Sequence, residues 1–484
     1  MGKGVPVLIV APLIGHLTSS LEMAKIMLER NKQLSVTSLI MKIPTDPEGT
    51  TKIRSLLAGY NNVERLNFHH LPTPEDTSSL WSATNRAGSL DQLIEYQKTQ
   101  VRDIVSRIKG LNAFILDSIT TTMIDVADEF GMPSYIFFTS GAAFLGVMLH
   151  FQALEDEGTT EMCDIFKKTK EIVSPSFANP IPISVLPSLV TNKETWSTGI
   201  IEYIRGYRKA KGIMVNSFCE LETLAFNSFS MDLDYGKSRR LPPISLVGPI
   251  INKSQNETKN QSEIMEWLDG QPANSVVFLC FGSVGSFHSD QVKKIANGLE
   301  KCGYRFLWSL RHPPTEKEGF SGEYENQEHL LPKGFLDRTA SIGKVVGWIP
   351  QFAVLSHSAV GGFVSHCGWN STLESIWCGV PIATWPLFAE QQLNAFQLVK
   401  ELGISVEISL DYNESNENQR TVSAEKVERA IRELMDGENV VRKKVKEISE
   451  KSKQAVKEGG SSYITFDNII QSISSDSGNL HLVS

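Results

Sequence analysis

Only six cysteines occur in 484 residues, and none forms a C-x-x-C pair or sits at short metal-ligand spacing. That usage excludes a disulfide framework and a zinc module, and it fits a reducing compartment. Long apolar runs are also missing. The longest, Tyr135 to Leu149, is shorter than a membrane span and is interrupted by Thr139, Ser140, Gly141 and Gly146. No apolar segment near Met1 leads to a cleavage site, and Pro6 stands where N-myristoylation requires Ser or Thr, so a cytoplasmic protein is expected. Positive charge is not in excess: Asp plus Glu number 55 against 47 Lys plus Arg, a net charge of −8. Such a chain has no global attraction to nucleic acid or anionic lipid, so any phosphate site must be local. No strand is followed by G-x-G-x-x-G and no G-x-x-x-x-G-K-[ST] occurs, which removes the dinucleotide and P-loop fingerprints.

What is present is an ordinary globular composition, 41% hydrophobic and 21% charged, over a length that at about 150 residues per domain implies two or three units. Short β-branched runs alternate with helix-length segments. In the first half these are Val5 to Ala11, Ser35 to Met41, Ala113 to Asp117 and Ser134 to Thr139, with a helix from Leu17 to Arg30. In the second half they are Ser275 to Ser283, Tyr304 to Leu310, Lys344 to Ile349, Gly361 to His366, Pro381 to Pro386 and Ile404 to Ile408. Apolar strands separated by helices predict parallel sheets covered on both faces. The expected fold class is α/β: two doubly wound, Rossmann-like domains facing each other across a cleft. The Pro-, Gly- and Asn-rich stretch Leu241 to Glu263 is the expected boundary, and His312 to Gly334 reads as a surface insertion. The expected division is a first domain at 1–245, a linker at 246–262, a second domain at 263–458 and a tail at 459–484 packing back on the first domain. Ligands of such sheets bind at the carboxyl ends of the strands, which places the chemistry in the cleft.

The stretch Gly361 to Pro381 carries the most chemistry. A strand ends near His366, Cys367 and Gly368 make a turn, and a helix is expected to begin about Ser371. Asn370 and Ser371 then lie where free N–H groups and the helix dipole favour an anion, and a diphosphate suits that spot. Ser371-x-x-Glu374 also reads as a capping box that needs no ligand. A second junction, Cys280-Phe281-Gly282-Ser283, pairs a glycine that permits close approach with a hydroxyl donor, though strand-Gly-Ser turns are common.

The block from Trp348 to Gln391, WIPQFAVLSHSAVGGFVSHCGWNSTLESIWCGVPIATWPLFAEQ, closely resembles the signature box of plant secondary-product UDP-glycosyltransferases (family 1) along its whole length. The early P-L-I-G-H, the F-I-L-D strand end and the F-G-S turn extend the resemblance to essentially the whole chain. It implies a GT-B fold, with the donor on the C-terminal half and the acceptor on the N-terminal half. Trp348 would stack on uracil, Ile349 would meet the base through its backbone, and Gln351 through its side-chain amide. Many members have alanine where Ile349 stands, a departure that a backbone contact survives. Glu374 would accept from the ribose hydroxyls. His366, Asn370, Ser371 and Ser283 would hold the diphosphate, and Trp369, Glu390, Gln391 and Thr139 would contact the sugar. Glutamine at the end of the box resembles the glucose-using members.

His16 follows the first strand and Asp117 ends another, so both can reach one rim. A carboxylate that orients an imidazole supports general-base chemistry, and the helix dipole is expected to keep His16 neutral. Each also has a plainer reading, His16 as a turn hydrogen-bonding residue and Asp117 as a helix cap. The expected reaction is attack by an acceptor hydroxyl, deprotonated by His16, on the anomeric carbon with UDP leaving, and the resemblance implies inversion to a β-glycoside. Expected partners are a UDP-sugar, most simply UDP-glucose as donor substrate, and a small lipophilic acceptor such as a phenolic, flavonoid or terpenoid. No cofactor, nucleic acid or integral membrane segment is expected, and the chain should act as a monomer. An apolar acceptor pocket is placed by position near Ile14, Trp81, Ser118 and Phe144. Asp232-Leu233-Asp234 spells D-x-D without a buried strand and is read as surface acid, so no metal is assigned. The basic stretch Arg442 to Lys457 reads as the solvated face of an amphipathic helix, and the remaining histidines (His69, His70, His150, His357) have no metal spacing. Two alternatives stay open: a UDP-sugar-binding protein without catalysis, and a dehydrogenase lacking its glycine fingerprint.

Overall fold

The computed structural model describes residues 4–43, 47–73, 86–158, 162–192, 199–230, 235, 241–253, 259–312, 328–413 and 421–475. The strands of the first half are β1 Val5–Val10, β2 Val36–Ile40, β3 Leu66–His70, β4 Leu111–Asp117 and β5 Ser134–Phe138, then the small pair β6 Glu171–Ile172 and β7 Ile181–Pro182, then β8 Gly212–Val215 and β9 Ile244–Leu246. Seven of them form one sheet in the order β3-β2-β1-β4-β5-β8-β9, every pair parallel. The second half supplies β10 Val276–Cys280, β11 Arg305–Ser309, β12 Gly343–Val346, β13 Val360–Ser365, β14 Ile382–Thr384 and β15 Ser405–Glu407. These form a six-stranded parallel sheet in the order β12-β11-β10-β13-β14-β15.

Both faces of each sheet are covered, which is why the central strands are apolar throughout rather than alternating. In β1, Val7 and Ile9 pack into one cluster while Leu8 and Val10 pack into the other. In β10, Val277 and Leu279 face one way and Val276, Phe278 and Cys280 the other, with Phe278 stacked on Phe363 of β13 at 5.1 Å. Strand order reverses between β1 and β4 in the first sheet, and between β10 and β13 in the second. At such a switch point the connections leave in opposite directions and open a crevice at the carboxyl ends of the two strands.

Besides the small pair β6 and β7, three strands of the first sheet lie outside the expected set. β3 is half-exposed, and β8 and β9 have only four and three residues, too short for a periodic signal. β9 corrects the boundary: Ile244–Leu246 belongs to the first sheet although Pro242, Pro243 and Gly248 surround it. The helix Lys259–Asp269 also begins inside the span expected as linker, so the crossing is narrower than 246–262. Most of the expected insertion (313–327), Trp81, Asp232 and Asp234 lie outside the described residues.

The final helix, Ser461–Ser475, returns to the first half. Phe466, Ile470 and Ile473 enter its core, each worth about 1.5–3 kcal/mol of burial. Asn112 Nδ2 donates to the Ile473 carbonyl at 2.6 Å, and Arg30 lies over the Tyr463 ring at 3.9 Å. Among the described residues, no helix is long and apolar enough to cross a membrane.

Candidate active site

The two switch points gather the residues that the sequence singles out. Helix Ile14–Arg30 starts directly after the β1 turn, three residues earlier than expected, and puts His16 in its first turn. Asp117 closes β4, the neighbour of β1, and its side chain is fully buried. His16 Nδ1 meets Asp117 Oδ2 at 2.7 Å, while Asp117 Oδ1 accepts from the Ile119 N–H at 3.0 Å and from the Ser118 hydroxyl at 3.3 Å. Asp117 therefore has its acceptors fixed, and Nδ1–H of His16 points at it, leaving Nε2 as the free lone pair. Thr139 Oγ1 lies 3.2 Å from the same Nδ1, and the Ser140 hydroxyl donates to Glu390 Oε1 at 3.2 Å. Burial lowers the His16 pKa, but the Asp117 charge, its hydrogen bond and the Glu390 charge outweigh burial, so the net shift is upward. The two carboxylates therefore favour the imidazolium, against the direction expected from the helix N-terminus.

In the second sheet, Gly282 and Ser283 follow β10, and His366, Cys367 and Gly368 follow β13. Helix Trp369–Cys378 begins two residues earlier than expected, at Trp369. Ser371 is thus the third helical residue, not a cap, and the capping-box reading does not apply. Its hydroxyl instead accepts from Gln351 Nε2 at 2.9 Å, and the same amide donates to Glu374 Oε2 at 2.8 Å. Burial pushes the Glu374 carboxyl up to about 7, partly offset by the Gln351 bond. Trp348 is half exposed, while Ile349 is buried.

His366 is buried, and burial drops its pKa to about 4, so it is neutral and can offer only an uncharged hydrogen bond. Its ring fills the space between two glycines: a Cβ on either Gly282 or Gly368 would lie 2.6 Å from Nε2. Cys367, at φ 64°, and Gly282, at φ +78°, turn both strand ends so that backbone N–H groups can line a concave pocket. Ala389, at φ 55°, holds a comparable left-handed turn just before Glu390. Gln391 Oε1 accepts from the Leu387 and Phe388 N–H groups at 2.9 and 3.1 Å, so its side-chain oxygen shapes this turn from within.

Two expected ligand contacts need restating. The Trp369 ring is buried, with Nε1 donating to the Asn216 carbonyl of the first half at 2.7 Å, so only its backbone remains for a sugar. Asn370 bridges the cleft: Nδ2 donates to the Gly15 carbonyl at 3.0 Å and Oδ1 accepts from the Ser19 hydroxyl at 3.0 Å. The open helix N-terminus is thereby tied to the residue that precedes His16. Ile14, Ser118 and Phe144 line the carboxyl ends of β1, β4 and β5 on the same rim, with Phe144 packed against Phe138 at 6.0 Å between ring centroids. Among the described residues no three His, Cys, Asp or Glu side chains cluster so as to hold a metal ion. Sequence reasoning missed Ser140, Asn216, Glu222, Gln397 and the Gly15–Asn370 bridge, because each acts through a partner far along the chain.

A family model described as UDP-glucoronosyl and UDP-glucosyl transferase matches residues 222–454. UDP-glucose flavonoid 3-O-glucosyltransferase 6 of Fragaria ananassa is 47% identical over 479 residues, covering 96% of this chain and 97% of that protein. UDP-glycosyltransferase 71A15 of Malus domestica is 47% identical over 482 residues, covering 96% and 98%. Among solved structures, a Medicago truncatula UGT complexed with UDP-glucose superposes with a TM-score of 0.86 at 36% identity, covering 98% of this chain and 99% of that one. A Phytolacca americana UGT complexed with UDP-2fluoro-glucose and pterostilbene gives 0.81 at 31% identity, covering 98% and 100%. The two parallel α/β sheets are thus those of the GT-B transferases. The chain belongs to the plant UDP-glycosyltransferase family and is a UDP-glycosyltransferase.

Proposed function

We propose that this enzyme transfers glucose from UDP-glucose to a hydroxyl of a small lipophilic plant metabolite, in one displacement that inverts the anomeric centre and leaves a β-glycoside. The N-terminal half holds the acceptor and the catalytic base, the C-terminal half the donor. His16 Nε2 takes the proton of the acceptor hydroxyl as its oxygen attacks the anomeric carbon. The C–O bond to the diphosphate breaks, and UDP leaves with the electron pair. Asp117 fixes the imidazole tautomer and stabilises the imidazolium formed. Trp348 stacks on the uracil, and Ile349 meets the base through its backbone. Glu374 accepts from the ribose, and Gln351 holds it there. Ser283 and the N–H groups at the start of helix Trp369–Cys378 take the diphosphate, with Asn370 and Ser371 among them. Glu390, Gln391 and Thr139 border the hexose.

The observation that carries this reading is the 2.7 Å His16–Asp117 bond at the switch point of the first sheet, joined through Gly15 to Asn370 at the switch point of the second. The Fragaria relative is named for flavonoid glucosylation and the Phytolacca structure holds pterostilbene, so a flat phenol is the acceptor class to try first. Incubation with UDP-glucose and a panel of flavonoids, stilbenes and terpenoid alcohols, read by mass spectrometry and by the anomeric proton coupling, should yield β-glucosides. UDP binding without turnover across the panel, or an α-linked product, would overturn the proposal.

A further inference from the structure

A second helix N-terminus faces the cleft, and it is already filled. Helix Ala142–Glu157 starts after the Thr139–Ser140–Gly141 turn, and its first N–H groups meet the buried carboxylate of Glu222. Ala142 N–H donates to Oε2 at 2.7 Å and Ala143 N–H to Oε1 at 2.8 Å, with the Ser217 hydroxyl also donating to Oε2. A charged acceptor on free helix N–H groups is the strong form of a cap. Helix Trp369–Cys378, by contrast, has no side chain capping its N-terminus.

The same carboxylate reaches across the cleft. Gln397 Nε2, from the second half, donates to Glu222 Oε1 at 2.9 Å. Gln397 opens a π-helical turn, Gln397–Glu401, that continues directly from helix Gln391–Phe396. π-turns interrupt helices at a stability cost and recur at functional sites. Four residues on, Glu401 accepts from the Ala178 and Asn179 N–H groups of the first half at 2.9 and 3.0 Å. The segment that begins with Glu390 and Gln391 is therefore tied to the opposite half at its far end. Space at the seam is tight: a Cβ on Gly141 would lie 3.0 Å from both Glu222 Oε1 and the Trp369 ring.

We propose that Glu222 and Gln397 form an interdomain clasp that positions the Thr139–Ser140 turn and the Glu390–Gln391 segment around His16, and so sets the alignment for transfer. Glu222 touches neither substrate nor the reacting atoms. It acts through Thr139, 3.2 Å from His16, and through Ser140, bonded to Glu390. The ionisable groups facing His16 are Asp117 from β4 and Glu390 from the second half. Releasing the clasp leaves Asp117 in place and lets Glu390 drift away. The inference rests on His16 as the base.

The test uses the full chain with Gln397→Ala, Glu222→Ala and Gly141→Ala, and with His16→Ala as reference. Gln397→Ala removes only the Glu222–Gln397 bond and leaves the other bonds between the halves in place. It should lower kcat about tenfold, keep KM for UDP-glucose within about threefold, and move the acid limb of kcat/KM to lower pH. Glu222→Ala should lower kcat further, and Gly141→Ala, which wedges the seam, should resemble it. UDP titration calorimetry supplies the folded, donor-competent fraction by which each rate is divided. A Gln397→Ala enzyme with wild-type kcat and an unmoved acid limb would overturn the clasp, as would a Glu222→Ala defect that vanishes on that correction. Failure of the underlying reading shows separately, as wild-type turnover that His16→Ala does not change.

Discussion

Replacing Asp117 by asparagine tests the base most sharply, because the structure leaves the amide no harmless orientation. Asp117 accepts from two fixed N–H donors, Ile119 through Oδ1 and His16 through Oδ2. An asparagine offers one acceptor and one NH2, so it must set a donor against one of them. Facing His16, the NH2 drives the ring to the tautomer with its proton on Nε2, which cannot take a proton from the acceptor. Facing Ile119, it leaves a part-buried N–H unpaired, at a cost of up to about 1–3 kcal/mol. In both orientations the imidazolium loses its counter-charge. With charge centres about 4 Å apart near a partly exposed ring, that attraction is on the order of 4 kcal/mol. At 1.36 kcal/mol per decade this corresponds to about a 10³-fold fall in kcat. The pH profile supplies an independent sign. Because Asp117 and Glu390 raise the His16 pKa above 6.5, the wild-type acid limb of kcat/KM should lie above 6.5, where the base becomes neutral as pH rises. In Asp117→Asn the limb should move to lower pH. The assay is UDP release over a pH series, with UDP affinity measured by calorimetry as the control for folding. A variant within tenfold of wild type, with its limb unmoved, would refute the reasoning.

Three further outcomes concern residues around the switch point of the second sheet. Trp348→Ala should weaken UDP binding by about 1–3 kcal/mol, on the order of 5–150-fold, with kcat at saturating donor much less affected; equal affinity by calorimetry would remove the stacking role. Because burial holds free Glu374 at about 7 and ribose donors favour its ionised form, UDP-glucose affinity should rise by up to about tenfold per pH unit below about 7. Glu374→Gln should flatten that slope, and the diester donor is the ligand to use because free UDP titrates near pH 6. Gly282→Ala should abolish donor binding, since its Cβ would lie 2.6 Å from His366 at φ +78°, whereas Gly131→Ala, at φ +63° with open space around it, should cost only backbone strain of about 1–2 kcal/mol in thermal stability and leave activity intact. Matching activities in the two alanine variants would show that the His366 contact is unimportant.

The strands of both sheet centres were legible because a parallel strand buried on both faces is apolar at every position, as in β1 and β10. β9 was not: three residues between prolines and a glycine carry no period, and only pairing with β8 makes them a strand. His16 and Asp117 could each be placed at a strand end from local sequence. Their adjacency could not, since they are 101 positions apart and meet only because β1 and β4 are neighbours. Ser371 shows the opposite error. A local pattern suggested a cap, but the helix starts at Trp369 and Gln351, twenty positions away, claims both Ser371 and Glu374. The Glu222–Gln397 bond spans 175 positions and has no local sign at all. The surroundings of His16 were half legible for the same reason: the helix dipole is written in the adjoining residues, whereas Glu390 arrives from the other half.

The most direct measurement is a crystal structure of the full chain with UDP-2-fluoro-glucose and a phenolic acceptor. The account predicts the diphosphate at the start of helix Trp369–Cys378 and the anomeric carbon turned toward His16. One acceptor oxygen should lie within about 3.2 Å of Nε2 and about 3.5 Å of the anomeric carbon. A hexose directed away from the imidazole, or an acceptor hydroxyl out of reach of Nε2, would contradict it.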